Sequence, residues 1–353
     1  MAARPNGARI RDVAAAAEVS PAAVSRYLNG SLSLPHATAE RIDRAIRRLD
    51  YRPNPHARRL SLGRSETIGL VLPDIANPFF ARLAASIEEA ADRAGLGLVL
   101  SATLNRQGRE LDYIERMRRN HVDGLIFVTN HADDGTLCRA LNAAPGVILI
   151  DEDVPGARVP KVFCDNDQGG FLAGRHLLAA GHRRIAFIGG PPGLMSTKER
   201  RAGLGRAVAA VPGAAVMWES FGPYTLAEGA RAAAGLLAAE PRPSAIFAGS
   251  DELVLGLLPV LREAGLRVPD EISIVGFDDI GPLHLLDPPV SAIRQPVAAI
   301  GERAVALLAA PPADPPPCER LPVRLVERSS VAAPPAAAAV PSRAFIKTGR
   351  QKP

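Results

Sequence analysis

The amino-acid sequence predicts an N-terminal all-α head with a helix-turn-helix pattern, followed by an α/β body of two doubly wound parallel-sheet lobes. Three observations carry this prediction. Two short helical patterns joined by a tight polar turn lie in 10–29, IRDVAAAAEVSPAAVSRYLN. Short β-rich runs then recur about 25 residues apart, with helical patterns between them, in two successive blocks. The head is also rich in arginine, whereas the body is acidic.

The length and charge of the chain limit the classes of protein to consider. A chain of 353 residues is expected to fold as two or three domains. Residues 1–64 contain twelve arginines, no lysine and five acidic residues, while residues 65–332 carry a net negative charge. A basic module on an acidic body is typical of a small polyanion-binding unit attached to a soluble partner domain.

Segments for membrane insertion or export are not indicated. No stretch reaches ~18 uninterrupted apolar residues, so no membrane partner is expected. The N-terminus lacks an apolar run followed by a small-residue cleavage site, so we expect a cytoplasmic protein. The cysteines Cys138, Cys164 and Cys318 lack metal or redox spacing, and we expect them to be reduced, packed thiols.

The head pattern assigns an inner and an outer face to its first two helices. The apolar residues at helical spacing should face inward: Val13, Ala14, Ala17, Val24 and Leu28. Ser20 suits the N-cap of the second helix and Pro21 its first position, where the missing N–H costs nothing. The outward face of that helix then carries Pro21, Ala22, Ser25, Arg26 and Asn29.

A third helix is predicted over 38–50. Apolar residues there recur at the spacing i, i+3, i+4 and i+7, and arginines surround the apolar stripe. The breaker YRPNP at 51–55 should end this three-helix unit. A short basic segment follows and reaches Gly63, which leaves room for only two helical turns.

Each block of the body alternates predicted strands with predicted helices. The strands of the first block are predicted at 67–72, 96–101, 124–128 and 146–150. Its helices are predicted at 79–94, 107–120 and 133–143. The strands of the second block are predicted at 184–190, 214–217, 244–249 and 272–277. Because parallel sheets bind ligands beyond the carboxyl ends of their strands, we expect a cleft site between the lobes.

Three more segments have strand-like composition without a place in either block. Segments 162–165, 290–293 and 321–327 are expected to be crossovers between the lobes or edge strands. The chain after Val331 is rich in alanine and proline and is expected to be disordered. It has no leucine heptads, so a C-terminal coiled coil that makes higher oligomers is not expected.

Taken in order, these segments resemble the lactose-repressor/galactose-repressor (LacI/GalR) family of bacterial transcription regulators. The resemblance runs from about Arg9 to Val331 and rests on RDVA…EVSPAAVSRYLNG, YRPNPHARRL, TIGLVLPDIANPFF, VDGLIFV, DNDQGGFLAGRHLLAAGHRRIAFIGGP and VPDEISIVGFDDI. It implies lobes of the periplasmic-binding-protein type. The implied division is a flexible N-terminus (1–8), a helix-turn-helix domain (9–50), a hinge helix or linker (51–64), an effector-binding and dimerisation domain (65–331) and a disordered tail (332–353). The implied lobes are an N-lobe at about 65–163 and 294–320 and a C-lobe at about 164–293 and 321–331.

By this resemblance, the head reads double-stranded DNA by laying its second helix in the major groove. Arg26 is expected to bond a guanine, while Pro21 and Ala22 make apolar contacts. The other implied DNA-contacting positions are Ser20, Ser25, Asn29, Asn54, Ala57 and Leu60. Leu60 has the place of the hinge-helix leucine that enters the minor groove and kinks the duplex.

Two head positions depart from the family pattern. Ala23 stands where the family usually has a phosphate-binding threonine, and Glu18 stands where it usually has a turn glycine. We expect these changes to lower the affinity for DNA and to leave the binding mode intact.

The resemblance also places a small-molecule effector in the cleft between the lobes. The implied positions are Asn77, Phe79, Phe80, Asp151, Arg200, Tyr224, Ser250, Asp251 and Asp278. Aromatic faces beside carboxylates and an arginine suit a polyhydroxylated ring, so a sugar or sugar-like effector is the first expectation. A purine nucleobase or nucleoside is the second. Ser250 stands where the family commonly has an asparagine, which leaves the identity of the effector open. No cofactor, metal site or catalytic residue is expected.

The family implies a homodimer that represses transcription from a palindromic operator and responds to its effector by allostery. A periplasmic solute-binding protein shares the two-lobed body, but it would lack residues 9–63. An enzyme of the doubly wound type is expected to carry a motif such as GxGxxG, GxxxxGK[ST], GxSxG or HExxH, and the sequence contains none of them. A DNA-binding regulator is therefore the predicted function.

Overall fold

The computed structural model describes residues 8–29, 32–51, 65–119 and 122–335. They form two compact units: the first contains the N-terminal head and extends to Thr67, together with 122–123, and the second is the larger body. The predicted hinge positions Asn54, Ala57 and Leu60 lie outside the described residues. No helix within the described part of the chain is long and apolar enough to cross a membrane.

The head consists of three helices around a small apolar core. They are α1 (Ile10–Ala17), α2 (Pro21–Leu28) and α3 (His36–Leu49). Its buried residues are Val13, Ala14, Ala17, Val24, Ile42 and Ala45, with Leu28 packed partly buried against them. The predicted inner face of the helix pair is confirmed.

The turn between α1 and α2 is built by local backbone chemistry. Glu18 adopts a left-handed backbone with φ of 55°, a conformation that favours glycine. The Ser20 hydroxyl accepts a hydrogen bond from Ala23 N at 3.1 Å, so Ser20 is the predicted N-cap of α2. Tyr27 on α2 donates to the carboxylate of Asp43 on α3 at 3.1 Å, which fixes α2 on the head.

The body alternates strands and helices along its whole length. Its first part contains β1 (Thr67–Leu72), α4 (Pro78–Arg93), β2 (Gly97–Ala102), α5 (Gln107–Arg119), β3 (Gly124–Phe127), α6 (Thr136–Ala143), β4 (Val147–Ile150) and β5 (Lys161–Cys164). Its second part contains α7 (Asn166–Ala179), β6 (Arg184–Gly189), α8 (Met195–Ala209), β7 (Ala215–Phe221), α9 (Leu226–Leu237), β8 (Ala245–Ala248), α10 (Asp251–Glu263), β9 (Ser273–Asp278), a 3-10 turn (Pro282–Leu285) and β10 (Ser291–Arg294). The last elements are α11 (Val297–Ala309), β11 (Cys318–Leu321) and β12 (Arg324–Val326).

The strands form two six-stranded sheets with equivalent topology. Their orders are β11-β5-β4-β3-β1-β2 in the N-lobe and β12-β10-β9-β8-β6-β7 in the C-lobe. In each sheet the first strand of the block lies between the second and the third, which is the doubly wound order with its switch point at the first strand. The predicted fold class is confirmed.

Of the three late segments, two lie at the expected crossovers and one differs from the prediction. The segments at 162–165 and 290–293 belong to β5 and β10, and after each of them the chain passes to the other lobe, so the expected crossovers are confirmed; both are interior strands rather than edges. The single strand predicted at 321–327 is two strands, β11 in the N-lobe and antiparallel β12 in the C-lobe. Pro322 lies at the break, where the chain changes lobes and a residue without an N–H cannot continue a ladder.

The C-terminal segment remains ordered beyond the predicted boundary at 332. Ala332 N donates to Ser273 Oγ at 3.1 Å, and the structure describes the chain as far as residue 335. The expectation of packed thiols holds for buried Cys164 and is wrong for Cys318, which is exposed on an edge strand.

Helices α7 and α8 of the C-lobe approach so closely that glycine is required at their contact. A Cβ on Gly170 would lie 2.0 Å from the carbonyl oxygen of Arg200, and one on Gly203 would lie 1.9 Å from that of Asp167. Because both clashes are with backbone, no rotation of a side chain can relieve them. This contact sets the position of α8 and of the arginine it carries.

Candidate functional site

A cavity that opens to solvent lies between the carboxyl ends of the two sheets. It is lined by Asn77, Phe79, Phe80, Asn130, Asp151, Glu152, Ser196, Arg200, Tyr224, Ser250, Asp278 and Gln295. Both lobes contribute, because these residues follow strands of both sheets. The structure thus brings together every predicted effector position except Asp251.

Arg200 is buried at the centre of the cavity wall. Its Nε donates to Asn166 Oδ1 at 2.8 Å, and its Nη1 donates to the carbonyl oxygen of Gly249. The guanidinium carbon lies 3.7 Å from the ring centroid of Phe277, which is a cation–π contact. Desolvation alone lowers the pKa of Arg200, but surrounding groups, led by Tyr224, outweigh it, and the pKa is raised. The arginine is therefore a fixed positive charge.

Asp151 and Asp278 face Arg200 from opposite lobes in unusual backbone conformations. Their φ angles are 69° and 90°, in the left-handed region that ordinarily favours glycine. Burial raises the pKa of Asp151 to about 8, and burial also raises that of Asp278, while Arg200 opposes both shifts. Strained carboxylates with raised pKa values are typical of binding sites.

Gln295 supports Asp278 from the crossover between β10 and α11. Its Nε2 donates to Asp278 Oδ1 at 2.7 Å. Its own side-chain oxygen is buried and has no hydrogen-bond partner among the described residues. Since buried polar groups are nearly always paired, this oxygen indicates a place for a donor from a bound molecule.

Glu152 joins the N-lobe to the first turn of α8 in the C-lobe. Its side chain is 2% exposed, and its Oε1 accepts a hydrogen bond from Ser196 N at 3.0 Å. A carboxylate at a helix N-terminus is favoured by the unpaired N–H groups and by the helix dipole. Burial raises the pKa of Glu152 although the bond to Ser196 lowers it.

Aromatic residues close the cavity on both sides. Tyr224 is within hydrogen-bond distance of Thr197 Oγ1 at 3.0 Å, and its ring lies where a Cβ on Gly190 would be. Phe79 and Phe80 follow the N-cap of α4 and contact each other edge to face at 5.3 Å. All three rings are held by the protein, so the apolar part of the cavity wall is preformed.

Asn77 and Ser250 have structural roles as well as cavity positions. Asn77 Oδ1 accepts from Phe79 N at 2.9 Å and caps α4. Ser250 Oγ accepts from Leu253 N at 3.3 Å and caps α10. Both side chains are thereby held at the carboxyl ends of their strands.

Asp251 was predicted at the effector site and does not line the cavity. Its Oδ1 accepts from Asp279 N at 3.1 Å, and its Oδ2 accepts from Ile280 N at 2.8 Å and Gly281 N at 2.6 Å. The carboxylate is therefore occupied by the loop after β9. It orders the loop that directly follows Asp278.

Four lining residues were missed from the sequence: Asn130, Glu152, Ser196 and Gln295. Asn130 and Gln295 come just after β3 and β10, so the strand-end rule used for the others also applies to them. Glu152 directly follows Asp151. Only Ser196 carries no comparable signal, because its position depends on where α8 begins.

The ionisation of Asp151 predicts a measurable pH dependence. Its pKa of about 8 exceeds the ordinary 3.8, so between these values the folded protein retains a proton that the unfolded chain has lost. The free energy of unfolding should therefore fall as pH rises, by about 1–2 kcal/mol between pH 5 and pH 8 for this partly exposed group.

Asp151→Asn is expected to remove that part of the slope. Urea unfolding of the ligand-free protein at pH 5, 6, 7 and 8 measures it. Glu110 also has its pKa raised by burial, to about 7, so the quantity to compare is the difference between variant and wild type. A difference that stays constant with pH would show that Asp151 is not protonated in the folded state.

The residues predicted to contact DNA from α2 share one side of that helix. Pro21, Ala22 and Arg26 are exposed, and Ser25 and Asn29 are half-buried beside them on the same side of the helix. Ser20 is exposed at the start of the helix, with its hydroxyl used as the N-cap. Among the described residues, no group of three or more histidine, cysteine or acidic side chains is placed to hold a metal ion.

Comparison with known proteins gives consistent matches for head and body. Residues 9–54 match the description "Bacterial regulatory proteins, lacI family", and residues 175–331 match a periplasmic binding protein-like domain. Catabolite control protein A of Priestia megaterium is 33% identical over 303 residues, covering 85% of this chain and 91% of that protein.

Two solved structures are similar over nearly the whole chain. The lac repressor dimer bound to operator and the anti-inducer ONPF matches with a TM-score of 0.81 at 27% identity, covering 93% of this chain and all of that one. The transcriptional regulator CelR in complex with cellobiose matches with a TM-score of 0.68 at 31% identity, covering 92% of this chain and 99% of that one. These relatives are transcriptional regulators rather than enzymes. The chain therefore belongs to the lacI family of bacterial regulatory proteins, and it is a DNA-binding transcriptional repressor with an effector-binding domain.

Proposed function

We propose that the protein binds a palindromic operator as a homodimer, with α2 of each head in the major groove. The exposed face of α2 carries this proposal. Arg26 can donate two hydrogen bonds to a guanine, which contributes about 1–3 kcal/mol of discrimination. Pro21 and Ala22 offer only apolar contact, so Arg26 supplies most of the direct readout, while Ser20, Ser25 and Asn29 contact phosphates.

The linker is proposed to contribute the remaining specificity. Asn54, Ala57 and Leu60 belong to the segment that resembles a family hinge helix. Two Leu60 side chains in the minor groove at the centre of the operator would favour base steps that kink readily.

The effector is proposed to be a sugar or sugar-like molecule bound in the interlobe cavity. The CelR structure is a complex with cellobiose, and that chain is 31% identical to this one. The cavity combines the rings of Phe79, Phe80 and Tyr224 with carboxylates that accept hydrogen bonds. This combination suits a ring with apolar CH faces and a rim of hydroxyls.

The dimer is proposed to form through apolar surface on the body. Strand β2 is the edge of the N-lobe sheet and exposes Val99 and Leu100 at 40% and 38%. In the C-lobe, Leu285 is 75% exposed. Exposed apolar edges of this kind are ordinarily covered, and the similar lac repressor is a dimer.

Effector binding is proposed to act on operator affinity through the arrangement of the lobes. A ligand that contacts both lobes favours one arrangement by its differential affinity, with coupling of ~1–3 kcal/mol. The protein would then act in the bacterial cytoplasm, on the nucleoid when it is bound to DNA.

The DNA-reading part is tested by selecting binding sites from a random library with the full-length protein. The expected result is a two-fold symmetric site. Arg26→Ala should lose ~5–150-fold of preference at one base pair per half-site. Arg44→Ala is the control and removes an exposed arginine of α3. It should change the affinity for DNA by the same factor for every DNA sequence. If Arg26→Ala keeps the wild-type preference at every position, α2 does not read bases through Arg26.

A further inference from the structure

The interlobe cavity is lined by more acidic than basic side chains. Three carboxylates, those of Asp151, Glu152 and Asp278, line it together with one guanidinium, that of Arg200. Each carboxyl belongs to a residue that the fold holds in place, either by a left-handed backbone or by a hydrogen bond across the cleft. Burial raises the pKa of each of these carboxyls, and Asp151 keeps its proton below about pH 8, so a further anion is repelled by those of the three that are ionised.

Two groups that could bind an anion are engaged by the protein, the first fully and the second in part. Ser196 N, in the first turn of α8, donates to Glu152 Oε1 at 3.0 Å, so a carboxylate occupies the place a phosphate takes at a helix N-terminus. Arg200 uses Nε for Asn166 and Nη1 for Gly249. The guanidinium keeps its second Nη1 proton and both Nη2 protons, so a ligand reaches it through these and not through the side that carries Nε.

Gln295 offers the opposite kind of group, an open acceptor. The residue is 4% exposed, and its side-chain oxygen has no partner within the part of the chain that the structure describes. Its orientation is set by the bond from Nε2 to Asp278 Oδ1. A ligand hydroxyl that donates to this oxygen satisfies it, whereas an oxyanion cannot donate.

We propose that the effector is an uncharged, hydroxyl-rich molecule such as a neutral saccharide, and that Glu152 excludes its phosphorylated and carboxylate derivatives. The inference rests on the proposed effector function of this cavity. Hydroxyls donate to Gln295 and to the carboxylates, and they leave the bond between Glu152 and Ser196 in place. A phosphate near α8 must either displace Glu152 or lie against it.

The test compares matched ligands on the full-length protein by isothermal titration calorimetry. The probes are glucose, glucose 6-phosphate and glucuronate; ribose and ribose 5-phosphate; galactose and galacturonate; and cellobiose and cellobionate. In each set that shows binding, the neutral member is expected to bind at least tenfold more tightly than its anionic relatives.

The variant Glu152→Gln tests whether Glu152 is the residue that excludes anionic ligands. The amide keeps an oxygen to accept from Ser196 N and removes the charge, so the ratio of neutral to anionic affinity should shrink about tenfold. Glu199→Gln is the matched control, because Glu199 lies on the same helix, pairs with Arg320 and does not line the cavity. That variant should keep the wild-type ratio.

The outcomes separate this inference from the function on which it rests. An anionic member that binds as tightly as its neutral relative overturns the exclusion and leaves a sugar-type effector standing. An unchanged ratio in Glu152→Gln overturns the role of Glu152. If no member of any set binds, the sugar effector itself is wrong, and this inference falls with it.

Discussion

Gly203→Ala is expected to destabilise the C-lobe by at least about 3 kcal/mol. The added methyl group would lie 1.9 Å from the carbonyl oxygen of Asp167 and 2.7 Å from Phe171 N, both of them backbone atoms of α7. The two helices must separate to admit it, and close packing elsewhere in the lobe opposes that movement. Arg200 is carried on the same helix, so effector affinity should fall as well.

Gly205→Ala is the matched control for this substitution. Gly205 lies two residues further along α8, and a Cβ there meets nothing within 4 Å. Since alanine is the better helix former, this variant should gain about 0.5–1 kcal/mol. The chain has a single tryptophan, Trp218 on β7 of the C-lobe, so its fluorescence during urea unfolding reports on the relevant lobe. If both variants unfold at the same urea concentration, the helix contact is not as close as the structure places it.

The contrast between these two glycines shows what sequence reasoning could and could not reach. Both occur in one helical pattern, AGLG, and nothing in that pattern separates the residue at the helix contact from the one in open space. The general fold was accessible because strand-length apolar runs at regular spacing specify βαβ units by local physics alone. Close helix contacts depend on which faces meet, and that is decided by tertiary packing.

The same distinction applies to the candidate site. Residues that follow strands were predictable, because all parallel strands of a sheet deliver their carboxyl ends to one edge. Asp251 and Glu152 both follow strands, yet the backbone amides of 279–281 surround the first, while the second reaches across the cleft to α8. The path of each loop decides whether a carboxylate binds donors of the protein or faces the cavity. Periodic patterns in the sequence do not determine these paths.

The sequence predicts that the body has two lobes, but it does not show where the chain passes from one lobe to the other near its C-terminal end. The two blocks of βαβ pattern identify two sheets, but a short run such as LPVRLVE does not reveal that it serves both. Only the position of Pro322, between β11 and β12, indicates the break, and its meaning depends on knowing that two sheets lie nearby.

Arg200→Ala is expected to abolish the effector response while leaving operator binding by the ligand-free protein within a few-fold of wild type. The side chain is the only guanidinium among the lining residues and is held by Asn166, Gly249 and the ring of Phe277. Losing a buried, hydrogen-bonded charge costs about 2–5 kcal/mol of binding free energy, which corresponds to ~30-fold or more in effector affinity. The head is untouched, so DNA contacts by α2 remain.

Arg201→Ala tests whether the effect belongs to that position rather than to positive charge on α8. Arg201 is exposed and paired with Glu219, so its removal should change effector affinity by less than about twofold.

Arg200→Lys keeps the charge but cannot reproduce two directed bonds and a stacked planar face, so it should resemble Arg200→Ala. Trp218 fluorescence verifies that each variant is folded, and calorimetry with the tightest neutral saccharide measures affinity. Arg200 faces carboxylates from both lobes, so a ligand in this cavity lies beside its side chain. If Arg200→Ala keeps the wild-type effector affinity, the effector binds outside this cavity. The effector signal would then have to reach the head by a route that does not involve this cavity.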